Sequence, residues 1–226
     1  AAYLSKADLC TELVQEFPNL QGVIGKYYAL HQKEDPQVAV AIEEHWLPKS
    51  EEKKEIPTTD VGAVLSLADK CDHLTSYFSA GLKPSASSDP YALRRQAIGI
   101  IRLLIEKKWS FELKPFAQTI LKLLDSPQKS EKVIEEIMTF VKNRLKIFLF
   151  EAFGFKKDEI EAALQTEKVN PYDQYLKVKA LHAFRETKEF ALLLEVFKRA
   201  KGQIRTHLEQ HRVDPKLFET EAEAAF

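Results

Sequence analysis

The chain has 226 residues, of which 45% are hydrophobic and 30% are charged, and its formal net charge is −1. This composition is typical of a globular protein and excludes an intrinsically disordered chain. The near-neutral charge also excludes recruitment of nucleic acid or membrane by bulk electrostatics, so any contact with a polyanion requires local basic patches. No apolar run approaches the ~18 residues of a membrane span. The two cysteines, Cys10 and Cys71, lack the spacing of a metal knuckle or a disulfide framework. We therefore expect a soluble intracellular protein, and the helical character of residues 1–9 predicts a fragment of a longer chain.

Five dipeptides divide the chain into segments with helical periodicity. Each places a capping side chain before a proline: Asp35-Pro36, Asp89-Pro90, Ser126-Pro127, Asn170-Pro171 and Asp214-Pro215. Proline is tolerated at the first helical position because the N–H there has no intrahelical partner. Apolar residues then recur at spacings of three and four, and no run has the period of two that is typical of a strand. The sequence predicts an all-α fold of nine to eleven helices, exposed connectors at 47–59 and 125–132, and two domains, 1–125 and 126–226.

The stretch EFPNLQGVIGKYYALH, residues 16–31, holds two of the seven glycines. Gly22 and Gly25 predict a tight turn and close helix packing, with Tyr27 and Tyr28 either filling the interface or offering a hydroxyl to it. The G-x-x-G pattern lacks the following Lys-Ser or Lys-Thr of a phosphate loop. His31 is expected at a helix end. The segment is therefore interpreted as having mainly a structural role.

A metal site is one hypothesis for SLADKCDHL, residues 66–74. Asp69 shares a helix face with Asp72 and His73, and His31 could complete a ligand set. The alternative is that these side chains are solvated or paired with a neighbour such as Lys70, because three such residues on one helix arise easily by chance. No second pair of ligands with tight spacing supports a metal site. We predict no metal and, since no nucleophile elbow or catalytic cysteine signature is present, no catalytic residue.

Two basic stripes on predicted helices are the stronger signal. The first follows Pro90 and the second follows Lys188; their members are Arg94, Arg95 and Arg102, and Lys198, Lys201 and Arg205. Arg95 and Arg102 are seven residues apart and are therefore expected on one face. A cationic stripe with a buried apolar flank, here the row that includes Phe197, suits a phosphate backbone. The alternative is an ordinary solvated face.

Several long segments, in order, resemble the β subunit of bacterial-type glycyl-tRNA synthetase. They are SKADLCTELVQEFPNLQGVIGKYYALH, VGAVLSLADKCDHLTSYF, DPYALRRQAIGIIRLL, NRLKIFLFEAFGFKKDEIEAAL, KVKALHAF, FKRAKGQI and DPKLFETEAEAAF. The resemblance implies an α2β2 ligase of the cytoplasm that attaches glycine to tRNA(Gly) with ATP and Mg²⁺. In that family the α subunit carries the aminoacylation site, and the β subunit supplies tRNA recognition. Residues 1–125 would form an HD-like helical domain and 126–226 the first part of an anticodon-binding domain, so we assign both basic stripes to tRNA binding. The fragment itself is expected to need no cofactor.

The resemblance also implies that the metal site of HD-type hydrolases is degenerate in this chain. Lys6-Ala7-Asp8 stands where a His-Asp pair is expected, and Asp69 matches the later aspartate. Asp8 and Asp69 alone are a poor ligand set for a catalytic metal. Two alternatives to the tRNA-binding hypothesis are a metal-dependent phosphohydrolase of the HD type and a non-catalytic helical scaffold.

Overall fold

The computed structural model describes residues 1–49, 55–85, 87–124, 130–166 and 168–203. Within these ranges the regular elements are all helical, which confirms the all-α prediction. The α-helices are α1 (Glu12–Glu16), α2 (Val23–His31), α3 (Pro36–Glu44), α4 (Asp60–Ser79), α5 (Leu93–Glu106), α6 (Leu113–Leu123), α7 (Ser130–Phe153), α8 (Lys157–Ala163), α9 (Pro171–Arg185) and α10 (Lys188–Gln203). Short 3-10 helices lie at Ala2–Leu4, Ala7–Cys10 and Pro18–Leu20. Over the described ranges, no helix combines the length and the apolar character needed to cross a membrane.

Two of the predicted helix starts are confirmed, since α3 begins at Pro36 and α9 at Pro171. At the start of α3 the backbone N–H of Gln37 donates to Asp35 Oδ1 at 2.7 Å. The side chain of Asp35 therefore satisfies one of the N–H groups that a helix leaves unpaired at its first turn.

The predicted start at Pro90 is wrong, because α5 begins only at Leu93. Ala92 adopts a left-handed conformation with φ of 53°, and this separates the turn at Pro90 from the helix. Asp89 still caps α5, as its carboxylate accepts hydrogen bonds from the N–H groups of Leu93 and Arg94, each at 2.9 Å. The dipeptides at 126–127 and 214–215 lie outside the described residues.

The chain divides into two compact units, Ala1–His182 and Ala183–Phe226. In the first unit, α4, α5, α6 and α7 surround one apolar core that α8 and α9 extend. Helix α5 lies at its centre, and six of its side chains are at most 1% exposed: Leu93, Ala97, Ile100, Ile101, Leu103 and Leu104. The predicted boundary at 125/126 falls between α6 and α7, which share this core. The division into an HD-like and an anticodon-binding type of domain stays a prediction.

The segment before α4 packs through a second, smaller apolar cluster between α2 and α3. Ala29, Ala39 and Ile42 form it. Gly22 has a φ of 81°, and Gly25 is so close to its neighbours that a Cβ there would lie 2.7 Å from Ile42 Cγ2. The predicted roles of the two glycines in a turn and in close packing are thus confirmed. The predicted burial of Tyr27 and Tyr28 is wrong, since they are 63% and 44% exposed.

The connector predicted at 47–59 is only partly exposed. Residues 50–54 lie outside the described part, but both flanking prolines, Pro48 and Pro57, are buried. Glu44 at the end of α3 is 7% exposed and accepts four hydrogen bonds from Thr58 and Thr59, which precede α4. This carboxylate therefore ties the end of one helix to the start of the next. Of the connector predicted at 125–132, residues 125–129 lie outside the described part, and α7 begins at Ser130.

The second unit is described over residues 183–203 and contains α10. Thr187 caps the helix through its hydroxyl, which accepts from the N–H of Phe190 at 3.3 Å. Apolar side chains on α10 are exposed in this chain, by 56% to 64%: Leu192, Leu193, Val196 and Phe197. The buried flank that the sequence predicted around Phe197 is therefore not found here.

Candidate functional site

Asp8 holds the turn that leads into α2. It is 2% exposed, and its Oδ2 accepts hydrogen bonds from the N–H groups of Gly22 at 2.7 Å and Gly25 at 3.2 Å. A carboxylate at the first turn of a helix is favoured by these unpaired N–H groups and by the helix dipole. Its Oδ1 is also buried and has no hydrogen-bond partner among the described residues. Asp8 is thus committed to the backbone.

Asp69 forms an ion pair with Lys6, which lies two residues before Asp8. Lys6 Nζ lies 2.5 Å from Asp69 Oδ1, and the Asp69 side chain is only 16% exposed. Asp8 and Asp69, which the resemblance aligned with metal ligands, thus bind two different groups of the protein itself. Asp8 binds backbone N–H groups, and Asp69 binds an ammonium.

The other residues considered for a metal site have separate contacts. His73 stacks on Tyr77, and Asp72 Oδ1 accepts a hydrogen bond from Ser76 Oγ at 3.4 Å. His31 is exposed at the end of α2, where the sequence predicted it. Within the described ranges, no three His, Cys, Asp or Glu side chains are grouped so that they could hold a metal ion.

A buried lysine lies next to Asp69 on α4. Lys70 is 3% exposed and donates hydrogen bonds to the carbonyl of His45 at 3.2 Å and to Ser66 Oγ at 3.0 Å. Burial lowers the pKa of Lys70 to about 8, because removal from water disfavours the ammonium form. Gly99 on α5 makes room for it, as a Cβ there would lie 2.8 Å from Lys70 Cε.

His45 is fully buried beside this lysine, at the C-terminal end of α3. Its Nδ1 lies 2.7 Å from the carbonyl oxygen of Ile42, which assigns the ring proton to Nδ1. Burial lowers the pKa of His45, so the neutral ring is favoured. The ring of His45 thus binds a carbonyl at the C-terminal end of its own helix.

Replacing Lys70 with methionine is expected to change how stability depends on pH. Between the folded pKa of about 8 and the ordinary value of 10.5, the unfolded chain holds a proton that the folded chain has released. The contribution of Lys70 to the free energy of unfolding of the wild type should therefore rise with pH across this window, by roughly 3 kcal/mol in total. Urea unfolding of both proteins from pH 7 to pH 10 measures the difference.

The comparison of the two profiles isolates Lys70 from other groups. Burial raises the pKa of Cys71 to about 12, which lowers stability above about pH 9 in both proteins, so the difference between the profiles is read from pH 7 to pH 9. Lys26→Met is a matched control, because the hydrogen bond from Lys26 to Glu43 raises the pKa of that lysine and so gives no rise in stability between pH 8 and pH 10. Parallel profiles for the wild type and Lys70→Met would contradict the assignment.

The predicted stripe on α5 is only partly at the surface. Arg95 is exposed and has no hydrogen bond or ion pair with other described residues. Arg94 is half-buried and donates from Nη2 to the carbonyl of Ser85. Arg102 is 4% exposed and lies 3.4 Å from Glu106 Oε1, so the prediction that it shares an exposed face with Arg95 is wrong. The reason is that α5 crosses the core, where a seven-residue spacing does not keep a side chain in water.

The stripe on α10 offers two free cations within the described residues. Lys198 and Lys201 are exposed and have no ion-pair partner in this part of the chain. Arg199, between them, is bound to Glu195 at 2.6 Å. Arg205 lies outside the described residues. Contact of these side chains with tRNA stays a prediction.

Sequence reasoning missed a cluster of aromatic rings between α4 and the turn before α5. The rings of His73 and Tyr77 are nearly parallel, with centroids 4.5 Å apart and an angle of 10° between them. Tyr91 packs on Tyr77 with a centroid distance of 4.6 Å. The spacing of His73 and Tyr77 on one helix was a usable signal, but the approach of Tyr91 depends on how α4 and α5 pair.

These features define an all-α chain with carboxylates bound within the protein and a few unpaired cations at its surface. The family model described as "Glycyl-tRNA synthetase beta subunit" matches residues 1–165. Because this match covers more than half of the chain, the chain belongs to the glycyl-tRNA synthetase beta subunit family.

Three relatives named glycine–tRNA ligase beta subunit illustrate the similarity. The chain is 39% identical to the one from Persephonella marina over 92% of its own length, and 40% identical to the one from Desulforapulum autotrophicum over 100%. It is 38% identical to the one from Lactobacillus acidophilus over 99%. These matches cover 31%, 33% and 33% of the respective relatives. The chain thus spans about a third of the length of the relatives that it matches.

Proposed function

We propose that this chain is the part of a glycyl-tRNA synthetase β subunit that contributes tRNA recognition and subunit architecture. The complete enzyme, an α2β2 tetramer of the cytoplasm, attaches glycine to tRNA(Gly) with ATP. The aminoacylation site, with ATP and Mg²⁺, belongs to the α subunit. Family membership and the names of the relatives support this assignment.

The proposal that the chain binds tRNA rests on one observation, the presence of unpaired surface cations in a nearly neutral chain. Arg95 on α5 and Lys198 and Lys201 on α10 are exposed and free of acidic partners among the described residues. The formal net charge of the whole chain is −1, so these side chains are local departures from the average. Exposed Lys and Arg side chains bind phosphates by releasing the counterions that surround nucleic acid.

The carboxylates support a non-catalytic role for this part of the subunit. A hydrolase of the HD type needs its aspartates free to hold a metal ion. Here Asp8 accepts two backbone hydrogen bonds, and Asp69 is paired with Lys6. Both carboxylates thus already have partners within the protein, and Asp8 is almost completely buried. Within the described ranges, no observation favours the phosphohydrolase alternative.

The test is a triple variant in the assembled enzyme, Arg95→Gln with Lys198→Gln and Lys201→Gln. We expect weaker tRNA(Gly) binding and a smaller dependence of affinity on salt, by about 0.7 to 0.9 units of slope for each phosphate that is no longer bound. Glycyl-adenylate formation should stay near the wild-type rate, because the proposal assigns that step to the α subunit. Filter binding at several salt concentrations and ATP–pyrophosphate exchange measure the two effects.

A charge-neutral double variant on the same helix is the matched control. Glu195→Gln with Arg199→Gln removes an ion pair from α10 without changing its net charge. It should leave tRNA affinity unchanged. If the triple variant folds normally and binds tRNA as tightly as the wild type at every salt concentration, these cations are solvated surface and the RNA-binding proposal for them fails.

A further inference from the structure

The aromatic cluster of His73, Tyr77 and Tyr91 has one fixed end and one open end. Tyr77 packs against the main core of the first unit, so the ring in the middle of the cluster is anchored. His73 covers it in a nearly parallel stack, and Tyr91 contacts it from the turn before α5. Tyr91 is 39% exposed. The cluster therefore presents to solvent a ring that rests on other rings.

The turn that carries Tyr91 is fixed by Asp89. Both carboxylate oxygens of Asp89 accept backbone hydrogen bonds at the start of α5, each at 2.9 Å. Arg94 adds a bond back to the carbonyl of Ser85. A side chain held in this way loses little conformational freedom when a ligand binds, which favours affinity. Tyr91 is thus pre-organised rather than on a free loop.

The charges around the cluster favour an anionic ligand. Arg95 follows Tyr91 by four residues and has no acidic partner among the described residues. The acids nearby are largely engaged, because Asp69 is paired with Lys6 and Asp89 is bound to backbone N–H groups. Asp72 is exposed, with a single weak hydrogen bond from Ser76. Arg95 is therefore an exposed cation, four positions after Tyr91, that is available to an anionic ligand.

We propose that Tyr91 is a stacking platform for an unpaired base of the bound tRNA, with Arg95 contacting the adjacent phosphate. This inference rests on the proposed function. A partly exposed ring and an exposed cation four residues away are groups with which proteins bind unpaired nucleotides, since every base offers a π-face and every nucleotide a phosphate. A stable protein interface buries about 800 Å² on each partner, which is far more than one ring and one guanidinium offer.

The experiment uses the assembled enzyme of full-length β and α subunits with Tyr91→Ala. Removal of one base–aromatic stack should weaken tRNA(Gly) binding by about 5- to 100-fold, with the salt slope unchanged. Arg95→Gln should instead lower the slope by about 0.7. A duplex RNA with the same number of phosphates is the second probe, and its affinity should not respond to Tyr91→Ala, because its bases offer no free face inside the helix.

Two further variants keep the test decisive. Tyr91→Leu retains an apolar side chain but removes the ring. It should therefore weaken tRNA binding as much as the loss of the stack predicts, and it serves as the test if Tyr91→Ala does not fold. Tyr27→Ala removes a tyrosine of α2 that is 63% exposed and should leave tRNA binding unchanged.

The outcomes separate this inference from the proposed function. If Tyr91→Leu folds and binds tRNA like the wild type while the triple cation variant is weakened, the stacking platform is wrong and the proposed function stands. If neither variant is weakened, both fail. If Tyr91→Leu impairs assembly with the α subunit and leaves tRNA binding intact, Tyr91 belongs to a protein interface and the inference is overturned.

Discussion

Glu44→Ala is expected to lower the free energy of unfolding by roughly 3–4 kcal/mol, because it removes a buried carboxylate that accepts four hydrogen bonds. Oε1 of Glu44 accepts from the N–H of Thr58 at 2.8 Å and from its hydroxyl at 2.5 Å. Oε2 accepts from the N–H of Thr59 at 3.0 Å and from its hydroxyl. Thr59 in turn caps α4 through its hydroxyl, which accepts from the N–H of Gly62. Removing the carboxylate of Glu44 therefore weakens the start of α4. Urea unfolding at pH 7 measures the decrease.

The neighbouring glutamate provides the matched control. Glu43 forms an ion pair with Lys26 at 2.7 Å, and both side chains are about a third exposed. Glu43→Ala should cost less than about 1 kcal/mol, as partly exposed ion pairs contribute little. An equal effect of the two substitutions would show that the carboxylate of Glu44 is not a specific clamp.

Acid adds a second readout for the same carboxylate. Burial alone raises the pKa of Glu44, but the hydrogen bonds from Thr58 and Thr59 lower it more, and the net shift is below the ordinary 4.5. The stabilisation by ionised Glu44 is therefore present above pH 4.5 and is lost as pH falls through the folded pKa. Glu44→Gln should remove this part of the acid sensitivity.

Asp8→Ala is expected to have an effect of similar size, roughly 2–4 kcal/mol, because two charge-assisted hydrogen bonds to backbone N–H groups are removed. Gly22 and Gly25 are both buried, so their N–H groups would have no water to replace the carboxylate. Amide hydrogen exchange at these two glycines should accelerate as stability falls. Asp8→Asn retains an acceptor oxygen and should be destabilised by about half as much.

Asp72→Ala is the control for the removal of a carboxylate as such. Asp72 is exposed on α4 and makes only one long hydrogen bond. Its removal should change stability by less than about 0.5 kcal/mol. Should Asp8→Ala be as stable as this control, with the two glycine amides still protected, the role assigned to Asp8 would be refuted.

Local features of the fold were predictable from the sequence where the determining residues are neighbours. Asp35 and Pro36 set the start of α3 within three residues, and apolar spacing sets the buried faces of the helices. The start of α5 was missed because Ala92 adopts a left-handed conformation, which alanine rarely does. No pattern in the sequence marks that choice.

The site was less predictable because its contacts join distant parts of the chain. Lys6 meets Asp69, and Tyr91 meets Tyr77, only after the helices have packed. Arg102 shows the converse problem, because helical spacing places it on a face without saying whether that face meets water. In this chain it meets the core and Glu106. Charge patterns thus identify candidate cations, and tertiary packing decides which of them remain available.

The Glu44 clamp has a practical consequence for protein engineering. It joins α3 directly to the residues before α4, so the chain between the two helices does not have to hold them in position. Lengthening a connection costs little conformational entropy, about 0.6 kcal/mol for each doubling of its length. An affinity tag or a fluorescent reporter inserted after the exposed Lys49 should therefore leave the junction of α3 and α4 intact, and assembly of the enzyme could be followed without a label at either chain end.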